Sequence, residues 1–280
     1  MNKVNKKLFA LMFIVSLFVS SCSFAVGEDN IKFERTELTK DSKEDGTETV
    51  FSWKMSYDKV VIENKPERAQ EITEKIMKEL LTSNLNEDFD DENDSIKRVN
   101  NNLNENSSYE DAIKAIQDRD YKNFIEDEAV KEMTVEHLLH KKNLWKNILC
   151  YEYTYSLESD ELANPYTEKK YLNVYLKDMS IIGIDDIVDS KRQNELKQIV
   201  YKQLMKDNDI SSIEKLYEEG FFEMEYIEVN NFIINETGLM FVFNRGEIAA
   251  RYKGEIEILV PFEDIDAVVK ENSLVKALYK

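Results

Sequence analysis

Two histidines, His137 and His140, stand three residues apart in EHLLH and are the only histidines in the chain. On a helix that spacing would place both on one face, as a zinc site requires. HExxH is not present, however, and no third ligand follows from the spacing. Packed or surface imidazoles are the simpler reading. Acid pairs such as Asp185 and Asp186 could serve as proton donor and acceptor, but 56 acidic residues make such pairs common, and capping or solvated roles account for them. Cys150 sits in the strand-like ILCYEYTYSL and reads as a small buried apolar residue rather than a thiol nucleophile. GxSxG and P-loop signatures are also missing, so the expectation is a protein that is not an enzyme, with no metal and no cofactor.

A third group lies in GLMFVFNRGEIAARYKGEIEILVPF, from Gly238 to Phe262. Two apolar runs flank a charged loop in which Glu247 stands between Arg245 and Arg251. Phe241 and Phe243 should share a strand face, opposite an alternating set of Ile256, Ile258 and Val260. Gly246 and Gly254 supply backbone freedom where the loop leaves the core and returns. An ion pair of Glu247 with its basic neighbours would fix the loop. Arg245, Glu247 and Arg251 are therefore candidate binding residues, but the first expectation is architectural: the loop orients a neighbouring acidic face.

The elements that must carry these groups follow from composition and period. Residues 1–21 form a lysine-bearing start and a short apolar run ending in VSSC, too short for the roughly 20 residues of a spanning helix. Two small residues before Cys22 resemble the lipobox of bacterial lipoproteins, which implies cleavage before Cys22 and its acylation. Secretion with cleavage after Ala25, or an uncleaved anchor over Leu8–Val26, are the alternatives. The expected protein is exported and held on the cell-envelope membrane by a lipid anchor. The three lysines of the leader leave with it, so the remainder is more acidic than the formal net charge of −19. Such a surface repels nucleic acid and favours basic or neutral partners.

Residues 22–47 are polar without a clean period and read as a flexible tether. A domain over 48–280 follows, divided into halves at 48–147 and 148–280. Thr49 to Glu63 is strand or hairpin. Pro66 opens a helix whose Ala69, Ile72, Ile76 and Leu80 recur at helical spacing. Residues 84–107, rich in asparagine and acids, lack the EF-hand's fixed glycine and glutamate and read as a solvated insertion. Ser108 caps a further helix, with helix or irregular structure continuing toward Val135. ILCYEYTYSL and KKYLNVYLK are paired strands. Asp189 or Ser190 caps a helix with Leu196, Ile199, Val200 and Leu204 on its apolar face. Ser211 and Glu214 stand at capping-box spacing before a stop at Gly220. A hairpin turning at Glu236–Gly238 and a last strand complete an α+β fold, a largely antiparallel sheet with helices on one face.

NVYLKDMSIIGIDDIV, a helix, and NNFIINETGLMFVFNRGEIAARYKGEIEILVPFEDI together resemble a domain of unknown function found in bacterial envelope proteins. It is the extracellular domain of RsiV-type anti-sigma factors and also precedes the catalytic domain of some peptidoglycan deacetylases. The positions that carry the resemblance include Phe232, Gly238, Asn244, Glu247, Ile248, Ala249, Pro261 and Phe262. The glycine-rich turn common in that family is replaced here by ELANPYTEKKY. Only seven residues precede the apolar run and the chain ends at Lys280, so the expectation is an accessory domain standing alone on a lipid anchor. The resemblance implies a non-catalytic binding or sensing domain with a basic lysozyme-like protein as partner. A scaffold or a receptor for cell-wall fragments is the alternative, and a peptidoglycan hydrolase the remaining one.

Overall fold

The computed structural model describes residues 29–43, 50–83, 107–223 and 227–280, with short segments at 16–18 and 24–26. One large sheet and one small sheet share the chain. The large sheet contains β1 (Ser16–Phe18), β2 (Phe24–Val26), β3 (Asp29–Lys43), β4 (Val50–Ile62), β5 (Glu132–Trp145), β6 (Ile148–Ser159), β7 (Tyr166–Tyr175) and β8 (Ser180–Ile181). Its order is β1-β3-β4-β5-β6-β7-β8, with β2 also on β3. Every pairing is antiparallel except β4 with β5. A parallel pair needs a long crossover, and here the crossover carries α1 (Pro66–Ser83) and α2 (Tyr109–Glu126). The expected α+β class is therefore observed.

Both helices pack on one face of the large sheet. α1 presents Ala69, Ile72, Ile76 and Leu80, all buried, as its spacing predicts. α2 starts at Ser108, whose Oγ accepts from Asp111 N–H while the Asp111 carboxylate accepts from Ser108 N–H. That reciprocal cap ends two orphan donors at once. Alternate residues of β4 (Phe51, Trp53, Met55, Tyr57) fill the core beneath. β5 and β6 join through Lys146 and Asn147, both at positive φ (45° and 67°), the combination a two-residue hairpin of this twist demands.

The small sheet, β11-β10-β9, is built from β9 (Phe232–Ile234), β10 (Gly238–Phe243) and β11 (Ile256–Pro261). Phe241 faces Ile258 and Phe243 faces Ile256 across the β10–β11 ladder. Phe241, Phe243, Ile258 and Val260 are buried, as their alternation predicts. They form a second core with α4 (Gln193–Asp207), whose Leu196, Val200 and Leu204 point inward, and with the short helices α3 (Ile184–Ile187), α5 (Ile213–Glu218), α6 (Phe262–Ile265) and α7 (Leu274–Tyr279). At Gly238 a Cβ would stand 2.1 Å from the Val260 carbonyl oxygen, so only glycine allows this approach.

Side-chain amides stitch the small sheet to the β7 edge. Asn231 Oδ1 accepts from Tyr171 N–H at 3.0 Å, and its Nδ2 donates to the Lys169 and Val242 carbonyls. Asn244 Oδ1 accepts from Lys169 N–H at 2.7 Å and its Nδ2 donates to the Lys169 carbonyl. Asn173 reaches the other way, to the Phe232 carbonyl and the Ile234 N–H. An edge strand leaves main-chain groups unpaired; here two asparagines stand in for the missing neighbour. Cys150 is buried between the layers against Ile233 and Val242, as an apolar reading of it requires.

Several expectations need correction. The tether over 22–47 does not hold for residues 29–43, which form β3 and pair with β4 along thirteen positions. Ile31 and Phe33 are buried there, so long-range pairing overrides a locally polar composition. The division at 147/148 falls inside the β5–β6 hairpin and separates no layers. Helix stops at Glu126, and Glu132–Trp145 is strand. The α5 cap is Ser212, whose Oγ accepts from Lys215 N–H, not Ser211. Cys22, most of residues 1–21 and the insertion from 84 to 106 lie outside the described residues. Among the described residues no helix is long and apolar enough to cross a membrane.

Candidate binding face

The loop from Asn244 to Gly254 is fixed by its own backbone. Gly246 and Gly254 take φ of 88° and 78°, angles that side chains resist. Asn244 N–H donates to Glu247 Oε2 at 2.7 Å, and Glu247 N–H donates back to the Asn244 carbonyl. Arg245 Nε donates to the Arg251 carbonyl at 2.8 Å. The expected ion pair of Glu247 with Arg245 or Arg251 is not among the described contacts. The glutamate instead satisfies a backbone donor, which the turn at Gly246 brings within reach. All three candidate side chains are exposed.

The loop's apolar centre, Ile248 and Ala249, is buried and docks on the turn after α5. Phe222 N–H donates to the Ile248 carbonyl and Ala250 N–H to the Gly220 carbonyl, both at 2.9 Å. Gly220, at φ 89°, ends the helix as its sequence predicts and leaves room for the Tyr252 hydroxyl. That hydroxyl donates to the Glu219 carbonyl at 3.3 Å. Lys253 lies over the Phe221 ring, 4.7 Å from its centroid.

This docking displays aromatic surface among acids. Tyr252 is 75% exposed, Phe222 42% and Tyr217 36%, while Glu218, Glu219 and Glu223 beside them are exposed too. A cleft of about 470 Å³ adjoins them, bounded by Asp209, Ser211, Glu218, Glu219, Phe221 and Lys253. Aromatic anchors with a polar rim are the composition of protein interfaces. The sequence reading reached the loop and an acidic neighbour but not Tyr217, Phe222 or Tyr252. The available signal was FFE directly after a helix-stopping glycine, where two consecutive phenylalanines cannot both face one core.

The histidines sit on strand β5, not on a helix. Three apart on a strand, they face opposite sides. His137 is 1% exposed in the main core. Its Nε2 lies 2.7 Å from Asp120 Oδ2 and its Nδ1 2.7 Å from the Tyr153 hydroxyl. Trp53 Nε1 donates to the same Asp120 oxygen at 3.0 Å, and Arg119 donates twice to Oδ1 at 3.0 and 2.8 Å. Burial by itself would raise the Asp120 carboxyl; the Arg119 guanidinium and His137 overcome it and hold the group below its ordinary range. Each acceptor of this buried carboxylate is used internally, so its geometry describes a structural knot. On the other face, Glu152 accepts from Lys142 and from the Tyr171 hydroxyl, and His140 lies 3.7 Å away. Asp186 accepts from Gly183 N–H, a capping role, and Asp185 from the Gln193 side-chain amide at the surface. No group of three or more potential metal ligands occurs among the described residues.

Residues 185–263, which include the loop and the aromatic face, match the family described as protein of unknown function (DUF3298). A DUF3298 domain is thus present. Peptidoglycan-N-acetylmuramic acid deacetylase PdaC of Bacillus subtilis (strain 168) is 25% identical over 185 residues, covering 62% of this chain and 39% of that protein. The chain therefore matches less than half the length of this curated relative. A crystal structure of a DUF3298 family member from Bacteroides fragilis NCTC 9343 superposes with a TM-score of 0.60 at 15% identity, covering 96% of this chain and 97% of that one. A DUF3298 family protein from Pseudomonas aeruginosa PAO1 does so with a TM-score of 0.53 at 9% identity, covering 86% and 95%. At these identities the shared property is the fold.

Proposed function

We propose that this chain is a non-catalytic binding domain of the bacterial cell envelope, anchored through an acylated Cys22, which engages a basic lysozyme-like muramidase. The observation that carries the reading is Tyr252, 75% exposed and held by a closed loop beside Phe222, Tyr217 and three glutamates. A side chain this large is kept out of the core by a rigid turn, which suits an anchor for a partner. The formal charge of −19 speeds encounter with a basic protein and makes it salt-dependent. Similarity to an enzyme named for a peptidoglycan sugar supports the envelope address. The same similarity favours a second reading, a receptor for cell-wall fragments.

Calorimetric titration of a basic lysozyme into the protein at low and moderate salt tests the first reading. Tyr252→Ala should weaken binding at least tenfold, about 1.4 kcal/mol, with an unchanged melting temperature. The paired change Glu218→Gln and Glu219→Gln should chiefly slow association. Unchanged affinity in both variants would reject the Tyr252 face as the binding site, and binding of soluble muropeptides with no response to lysozyme would reject the muramidase in favour of other ligands.

A further inference from the structure

A second cleft of about 470 Å³ opens between the end of α2 and the ends of β5 and β6, on the helix-covered face of the large sheet. Its floor is apolar, formed by Met133, Val135 and Leu157. The opposite wall is the polar side of α2, with Asn123, Glu126 and Asp127. Tyr155 closes the inner side, its ring 5.3 Å from that of His137, which fixes it in place.

Charge on the polar wall is one-sided. α2 ends at Glu126 with Asp127 as its C-cap and carries no basic residue in the last turn. A helix C-terminus already bears partial negative charge, which adds to that of the two carboxylates. Lys122 reaches Glu126 Oε1 at 3.4 Å, and Ala129 N–H donates to Asp127 Oδ1. Glu126 Oε2 and Asp127 Oδ2 accept no hydrogen bond among the described residues. Asp120, at the inner end, is already paired with Arg119 and hydrogen-bonded to His137. The Tyr155 hydroxyl has no hydrogen-bond partner among the described residues, and burial raises its pKa so that it stays protonated.

We infer that this cleft is a subsite for a lysine side chain of a protein partner, its methylenes on the Met133–Val135–Leu157 floor and its ammonium against the Glu126–Asp127 wall. An anion is repelled by that wall. A sugar would lay hydroxyls on a floor with nothing to bond them, which costs affinity. An unbranched aliphatic cation satisfies both sides. The subsite uses no residue of the Tyr252 face.

The probe is Nα-acetyl-lysine methylamide, titrated into the full chain and followed by the methyl resonances of Met133, Val135 and Leu157. Nα-acetyl-norleucine methylamide, which has the same stem without the charge, is the control. The lysine derivative should shift these resonances and bind at least tenfold more tightly than the control, with loss of the difference at high salt. Glu126→Gln with Asp127→Asn should erase the preference while leaving the melting temperature in place, since both side chains are exposed. Equal binding of the two probes, shifts confined to other residues, or no shift at all would overturn the assignment. Because neither probe is a muramidase, the outcome is independent of whether lysozyme binds.

Discussion

Asp120→Asn is the most informative single change in the core. The carboxylate is 3% exposed and accepts from Trp53, His137 and twice from Arg119, which is itself 7% exposed. The substitution removes the Asp120 counter-charge from a buried guanidinium, a change worth about 3–5 kcal/mol. It also turns one acceptor into an amide donor facing Trp53 N–H or His137. Leaving a buried donor unsatisfied costs roughly 1–3 kcal/mol more. Against a total stability of about 5–15 kcal/mol, the variant should unfold at far lower urea. Urea denaturation at pH 7, followed by tryptophan fluorescence, reads this as a lower midpoint at unchanged slope. The double change with Arg119→Met should recover part of the loss, because the stranded charge has gone.

The sign of the pH dependence follows from the same group. The folded Asp120 carboxyl is held below its ordinary value, so its stabilisation is complete above the unfolded pKa of about 3.9. It is lost as the pH falls through the lower folded value. Wild-type protein should lose this increment only below about pH 4, and Asp120→Asn should lack it. A loss under about 1 kcal/mol at pH 7, well below the buried-pair range, would refute the reasoning, as would an unchanged acid limb.

Two further changes test the layers. Phe243→Ala removes a side chain 2% exposed in the small-sheet core and should cost about 3–5 kcal/mol in chemical denaturation. Asn231→Ala frees the Tyr171 N–H and takes one donor from each of the Lys169 and Val242 carbonyls; amide hydrogen exchange should accelerate at Tyr171 by at least tenfold while β4 and β5 stay protected.

Local periodicity determined much of this protein before any tertiary contact was considered. Apolar residues at helical spacing after Pro66 predict the buried stripe of α1, and alternation around Phe241 and Phe243 predicts the small-sheet core. Ser108 before YED signals a cap, and Gly246 and Gly254 signal a loop with unusual backbone angles. Such signals are legible because each is read from residues within one or two turns of one another. What the tertiary structure decided concerns polar and charged residues whose environment is set far along the chain. Residues 29–43 look like tether until β4 supplies a partner for thirteen of them. Asp120 lies in QDRDY, indistinguishable by type from the chain's many solvated acids, and becomes a core residue only because Trp53 and His137 arrive from 67 and 17 positions away. Asn231 and Asn244 read as loop residues, yet they complete the edge of a strand some 60 and 75 positions earlier. Tyr252 and Phe222 are apolar by type and exposed by placement. The physical reason is common to all four: the sequence records a side chain's chemistry, whereas the cost of burying a polar group, or of exposing an apolar one, depends on which distant partner meets it.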